Sequence, residues 1–329
     1  MANPTIYPSA QQWLGIAKET TYGTPVATPT LWLPIINPKH EPHQAMLRDE
    51  GLRGNMAMAQ GYVAGPRYDT FDFETYPYID SIFALAMNIY GGPDTVTGTA
   101  APYTHKTSLL NTGNGQPTSW TLNYFNGAET WQLAGAQQAQ LDLETKVADS
   151  LAKVTSSWMS LPGVKVANPT NTPDTNAPMP SWSTTVTVGG TAATVYSDVK
   201  VQWKRNTEAV FTATGTQSPY VIFVGELEVT GDLTAVYDGY ATAGNDLAAY
   251  LANTQPALVL KTTPAGDAAH YLQWTSSVTA YTGVTVTGSS KWVEAQAKIE
   301  AVANATDVVG TNGGTSPGQF QVINTTASY

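Results

Sequence analysis

The chain has 329 residues, 42% of them hydrophobic and 10% aromatic, enough for one large β domain or two smaller ones. Charged residues are only 12%, about half the usual ~25%, which suits a surface largely covered by identical neighbours. A net charge of −10 argues against a coat for nucleic-acid phosphates, and the lack of cysteine removes disulfide and thiolate chemistry. The first residues, MANPTIYPS, carry no basic-then-apolar leader, and the most apolar window is too short to span a bilayer.

Residues 1–30, with prolines at 4, 8, 25 and 29, read as an extended N-terminal arm that holds a short strand from Trp13 running into a Gly23/Pro25 turn. Its apolar periodicity is too weak for a core of its own, so it is expected to dock on an adjacent subunit. Residues 31–36 form an apolar strand. Residues 37–67 are polar and irregular, expected as a long loop. Over residues 69–74, Phe71 and Phe73 alternate with Asp72 and Glu74, the pattern of a strand. Residues 78–90 predict a helix: Ile79, Ile82, Phe83, Ala86 and Ile89 recur at helical spacing between Pro77 and Gly91-Gly92. Residues 119–124 and 129–133 form a hairpin about Asn126-Gly127. Residues 136–144 and 151–159 make another strand pair. Residues 164–181, with prolines at 169, 173, 178 and 180, are expected as a long surface loop or linker.

A tight hairpin, 184–188 and 192–195 about Gly189-Gly190, leads into the longest strands. Across residues 195–205, Val199, Val201 and Trp203 alternate with Lys200, Gln202 and Lys204. Across 220–237, Val221, Phe223, Leu227, Val229 and Leu233 are expected on the buried face, with Glu226, Glu228 and Asp232 on the wet one. Residues 245–253 predict a second helix, 256–262 and 271–278 strands, 319–324 a last strand. Residues 291–302 fit a strand or a helix, and the β context favours the strand. The fold class is therefore all-β with flanking helices, a sandwich or split barrel. Its domains are the arm, 1–30, and a single domain, 31–329.

Few residues invite chemistry. His40 and His43 are three apart, but Glu41-Pro42 places them on a loop with no second ligand pair. Glu226 and Glu228 share a strand face, as glycosidase carboxylates do and as any wetted strand does. Asp69, Asp72 and Glu74 lack the glycine and terminal glutamate of a calcium loop. No nucleophile elbow, P-loop or dinucleotide fingerprint occurs. No catalytic, metal or cofactor site is expected, and no enzyme.

The stretch GIAKETTYGTPVA at residues 15–27 resembles the opening of the long-tailed (siphovirus-type) bacteriophage major tail tube proteins. Gly51-Leu52-Arg53-Gly54 and the segment from Pro219 through Gly225-Glu226-Leu227-Glu228-Val229-Thr230-Gly231, followed by a helix, are similar to that family too. The resemblance implies a tail-tube-type sandwich whose long hairpin joins an inter-subunit β-barrel. It implies hexameric rings that stack into a tube, with double-stranded DNA passing through without specific binding. It implies as partners the chain itself, the tape measure, terminator and distal tail proteins, with no membrane. It implies a place in the virion tail after assembly in the host cytoplasm. Glu226, Glu228, Asp232, Lys200 and Lys204 are then expected to face the lumen, with Gln138, Gln140, Asp142 and Glu144 as the alternative face. Trp13, Ile16 and Tyr22 are expected on the inter-ring arm. A tail terminator, a capsid decoration protein and a carbohydrate-binding or carbohydrate-cleaving β protein are the other readings.

Overall fold

Period-two alternation dominates the chain, and strands dominate the computed structural model, which describes residues 6–54, 56–148, 150–240, 245–288 and 291–329. In order come β1 (Trp13–Lys18), β2 (Leu31–Leu33), β3 (Ile36–Asp49), β4 (Gly61–Thr75), α1 (Ile82–Tyr90), β5 (Thr95–Thr97), β6 (Tyr103–Ser108), β7 (Trp120–Phe125), β8 (Thr130–Lys146), β9 (Lys153–Ser160) and β10 (Val164–Val166). Then come β11 (Thr185–Val188), β12 (Thr191–Ala193), β13 (Tyr196–Val210), β14 (Val221–Val236), α2 (Asp246–Leu251), β15 (Leu258–Thr262), β16 (Tyr271–Ser276), β17 (Thr279–Gly288), β18 (Val293–Ala301) and β19 (Gln319–Asn324).

One layer is an antiparallel run in the order β3-β4-β9-β8-β13-β14-β18-β17. β8 serves two sheets. Its second half pairs with β9 and β13, and its first half pairs with β7 and β10. From β7 the pairing continues through β1 to β2. The other layer is a seven-stranded sheet, β12-β11-β15-β16-β19-β6-β5.

The core lies between the layers. Leu141, Leu143, Val199, Val201, Trp203, Val229 and Leu233 bury one face of the long run, each large side chain contributing roughly 1.5–3 kcal/mol. Trp203 and Trp274 both donate their indole N–H to the buried Tyr90 hydroxyl, at 2.9 Å each. All nine residues of α1 are buried. Gly91 ends the helix with φ at 75°, its N–H donating to Met87 O at 2.8 Å. Arg205 of β13 then takes carbonyls at the helix end: its guanidinium donates to Ile89 O (2.6 Å) and Tyr90 O (2.9 Å), and also to Gly225 O of β14 (3.1 Å). Burial lowers its pKa to about 10, which leaves it charged at neutral pH. α2 is shorter and is capped by Asn245, whose side chain accepts from the N–H groups of Leu247 and Ala248.

Several expectations are corrected. Residues 37–67 are not a loop. β3 and β4 form a long hairpin, and only 50–60 connect its strands. Its outer half is exposed on both faces, so no buried face writes an alternation into the sequence. The arm is not free over its second half. β1 pairs with β7 and β2, and Leu14, Ile16 and Ala17 are buried. The prolines bracket that strand rather than prevent it.

Val221 and Phe223 do not face the core. Ile222 and Val224 do, at 0% and 2% exposure, and Phe223 is 45% exposed. A bulge is the cause: between the pairs Arg205–Leu227 and Thr207–Val224, β14 inserts two residues against one, which reverses its alternation. Residues 164–181 are partly structural. β10 pairs with β8, and Met179 and Ser181 are buried. β5, β6 and β17 had no counterpart in the sequence reading, and residues 291–302 contain β18, a strand.

Candidate functional site

The face of the long run opposite the core is polar along its whole width. Cross-strand partners share a face, so the register defines rows. One row reads Lys153, Glu144, Lys200, Asp232, Lys298, alternating in sign over five strands. The next reads Glu74, Thr155, Asp142, Gln202, Thr230, Glu300. A third reads Lys39, Asp72, Ser157, Gln140, Lys204, Glu228.

All five residues expected to face a lumen therefore lie together. Glu228, Asp232, Lys200 and Lys204 occupy the rows, and Glu226 lines an open cleft with Glu228 and Lys204. The two alternative sets are not alternatives. Gln140, Asp142 and Glu144 share the rows with Lys200 and Lys204. Only Gln138 departs, buried at 1% by a one-residue bulge before Gln140.

Charge on this face is internally balanced at short range. Lys200 Nζ lies 3.4 Å from Asp142, and Lys153 Nζ 2.9 Å from Glu74. Gln140 and Gln202 each donate to Asp142 at 3.0 Å. A hydrogen bond from Lys146, with Lys200 and Lys153 close by, holds the Glu144 carboxyl below the usual range. Such pairs at the surface add little stability. Their effect is on the potential of the wall.

The residues expected on an inter-ring arm are placed differently. Trp13 stacks on Phe125 and meets Trp32 edge-on, inside the chain's own sheet. Ile16 is 1% exposed and reaches no surface. Tyr22 sits on the turn after β1, and its hydroxyl accepts the Ile222 N–H of β14 at 2.6 Å. Burial raises its pKa to about 12.

Glu19 was missed. It is buried, with no salt bridge among the described residues, its carboxylate accepting from Ser119 Oγ (2.6 Å), Thr121 Oγ1 (2.8 Å) and the N–H groups of Gly23 and Gly135 (2.9 Å each). A carboxylate two residues beyond the apolar run Leu14–Ala17 was the available signal.

The histidines hold structure. His40 contacts Asp69 at 2.7 Å, and His43 contacts Thr70 at 2.9 Å. Asp69 is buried, while Asp72 lies on the opposite, polar face. Among the described residues no group of three histidine, aspartate or glutamate side chains is placed to hold a metal.

A family profile described as phage tail tube protein matches residues 9–316. The chain belongs to the phage tail tube protein family. A comparison with curated proteins returned no significant match. Membership makes it a structural phage tail protein. The all-β architecture of long antiparallel strands with two helices accords with a tail-tube-type fold. No described helix is long and apolar enough to cross a membrane.

Proposed function

We propose that the chain closes into rings, that the rings stack into the tail tube, and that the polar face of the long run lines the lumen through which double-stranded DNA passes. One observation carries this reading: a single sheet, buried on one face by its own core and continuously polar on the other, ends in two strands, β3 and β17, that pair on one side only among the described residues. A closed barrel is the arrangement that removes such edges. Acids interleaved with lysines, under a net charge of −10, give a wall to which phosphate does not adhere.

The two long hairpins supply candidate ring-to-ring contacts. Leu52 is 99% and Met58 72% exposed near the tip of the first, and Phe211 and Tyr220 are exposed at the tip of the second. Apolar side chains carried this far from the core suit burial against a stacked ring. The tape measure, terminator and distal tail proteins would meet the ends of the tube, assembled in the host cytoplasm.

Electron microscopy of the purified protein tests the reading. Hollow tubes are expected; single capped rings or dispersed monomers would overturn it. In tubes of Glu228→Lys, the expected result is normal assembly with retention of duplex DNA in low salt. If Glu228 is instead labelled from outside the intact tube, the lumen assignment fails while the tube reading stands.

A further inference from the structure

The chain folds as two copies of one unit, and the seam between them shows how one chain joins the next. β1–β2, β1–β7, β7–β8, β8–β10, β3–β4, β4–β9 and β9–β8 are the pairings of the first half. The second half repeats them as β11–β12, β11–β15, β15–β16, β16–β19, β13–β14, β14–β18 and β18–β17. β16 and β17 together take the place of the single long β8. Each half sets its helix directly after the long hairpin.

The irregularities repeat as well. In β3–β4 the register shifts between Gln44–Arg67 and Met46–Ala64, and in β13–β14 between Arg205–Leu227 and Thr207–Val224. Both shifts set two residues against one. Both place a glycine, Gly65 or Gly225, against the backbone of the single opposing residue, Ala45 or Asn206. β8 has one extra residue against β9, after Gln138, and β17 has one against β18, after Tyr281. Bulges are specific positional features, and their coincidence aligns the units residue by residue. Arg205 corresponds to Gln44, Val201 to His40, Leu141 to Val284 and Leu143 to Val286.

The units meet where β8 pairs with β13, with Leu141 opposite Trp203 and Leu143 opposite Val201. There Leu141 and Leu143 are 2% and 3% exposed. β17 holds the place of β8 in the second unit, but among the described residues no strand pairs with its far side. Val286 is 37% exposed. α2 borders this open edge, packing on β17 and β18, and Leu251 is 64% exposed. α1, its counterpart, reaches across the seam onto β8 and β13 and is wholly buried. The strand equivalent to β13 is β3, and β3 is the other open edge.

We infer that β17 of one chain pairs antiparallel with β3 of a second copy, in the register of the internal seam, and that three chains close the ring. Val284 then faces Pro42 of the next copy, Thr285 faces Glu41, and Val286 faces His40. Pro42 offers no N–H, a common guard on an edge that must pair with one partner only. The count rests on the tube reading above. A ring of six units, as the family resemblance implies, needs three chains when each chain supplies two, not six.

Two measurements test this. Image averages of wild-type tubes should show three-fold symmetry with a pseudo-six-fold repeat; true six-fold symmetry would overturn the count. The cysteine-free chain also permits a cross-link: Thr285→Cys and Glu41→Cys in one chain, assembled and then oxidised. The expected products end at about 105 kDa, three times the 35.0 kDa chain. A series continuing to six chains would overturn the closure, and tubes that assemble without any cross-link would overturn the edge pairing. If wild-type protein forms no tube at all, the functional reading on which the count rests has failed first.

Discussion

The two long hairpins, β3–β4 and β13–β14, have nearly the same lengths and the same bulge, yet only the second is readable as a hairpin in the sequence. β13–β14 lies mid-sheet, and along most of its length one face is pressed on the core. Val199, Val201 and Trp203 therefore alternate with Lys200, Gln202 and Lys204. β3–β4 lies at an edge, and its outer half meets water on both faces. Its root also holds polar groups where the other hairpin holds valines: His40 and Asp69 stand at the places of Val201 and Val229. A shared backbone does not require a shared hydrophobic pattern. The pattern records what covers each face, not the strand itself.

The largest way to sharpen this contrast is Asp69→Ala. Asp69 is 0% exposed and takes its contacts from His40, the Gly163 N–H (3.0 Å) and Arg67 (3.3 Å). Removing it strands the others, for an expected loss of about 3–5 kcal/mol in urea unfolding. The double change His40→Val with Asp69→Val, which copies the other hairpin, is expected to cost far less or to stabilise. If the double variant is as unstable as the single one, the hairpins are not interchangeable at this position.

The same carboxylate sets a pH dependence. Burial pushes its pKa up, but the hydrogen bonds from His40 and Gly163 and the charge of Arg67 outweigh it and hold it below the ordinary range. A depressed folded pKa contributes stability above the unfolded value, about 3.9, and that stability is lost as pH falls through the folded value. The stability gap between wild type and Asp69→Asn is thus expected to stay level from neutral pH to about 4 and to close below it.

Arg205→Gln makes the second hairpin resemble the first, where Gln44 holds that place. It removes the guanidinium from the end of α1, with an expected loss of about 2–3 kcal/mol. A melting temperature unchanged from wild type would mean that the helix end is satisfied in another way. The smallest effects test the bulge. Ile222→Val is expected to cost about 0.5–1.5 kcal/mol, and Phe223→Ser to stay within about 0.5 kcal/mol. The reverse ranking would restore the uninterrupted alternation that the sequence suggests.

The order of residues alone specifies the all-β class, the helix before Gly91, the Asn126-Gly127 and Gly189-Gly190 turns, and the wet and dry faces of β13 and of β14 beyond its bulge. Each of these is local: a left-handed glycine, a turn dipeptide or a period-two pattern acts within a few residues. Long-range packing, by contrast, buries Glu19 among donors from two distant segments, at 119–121 and at Gly135, and sets Lys200 and Glu144 in one row. It also decided that Ile222 rather than Phe223 would point inward, because two residues of β14 oppose one of β13. The same holds for the repeat of the strand order. Lys39 and Lys200, Thr70 and Thr230, and Asp72 and Asp232 coincide on the polar face, but His40 and Asp69 stand on the other face where the second hairpin has Val201 and Val229, since one hairpin is an edge and the other is an interior pair. Pairing and bulges are properties of the backbone ladder, which a row of side-chain letters does not record.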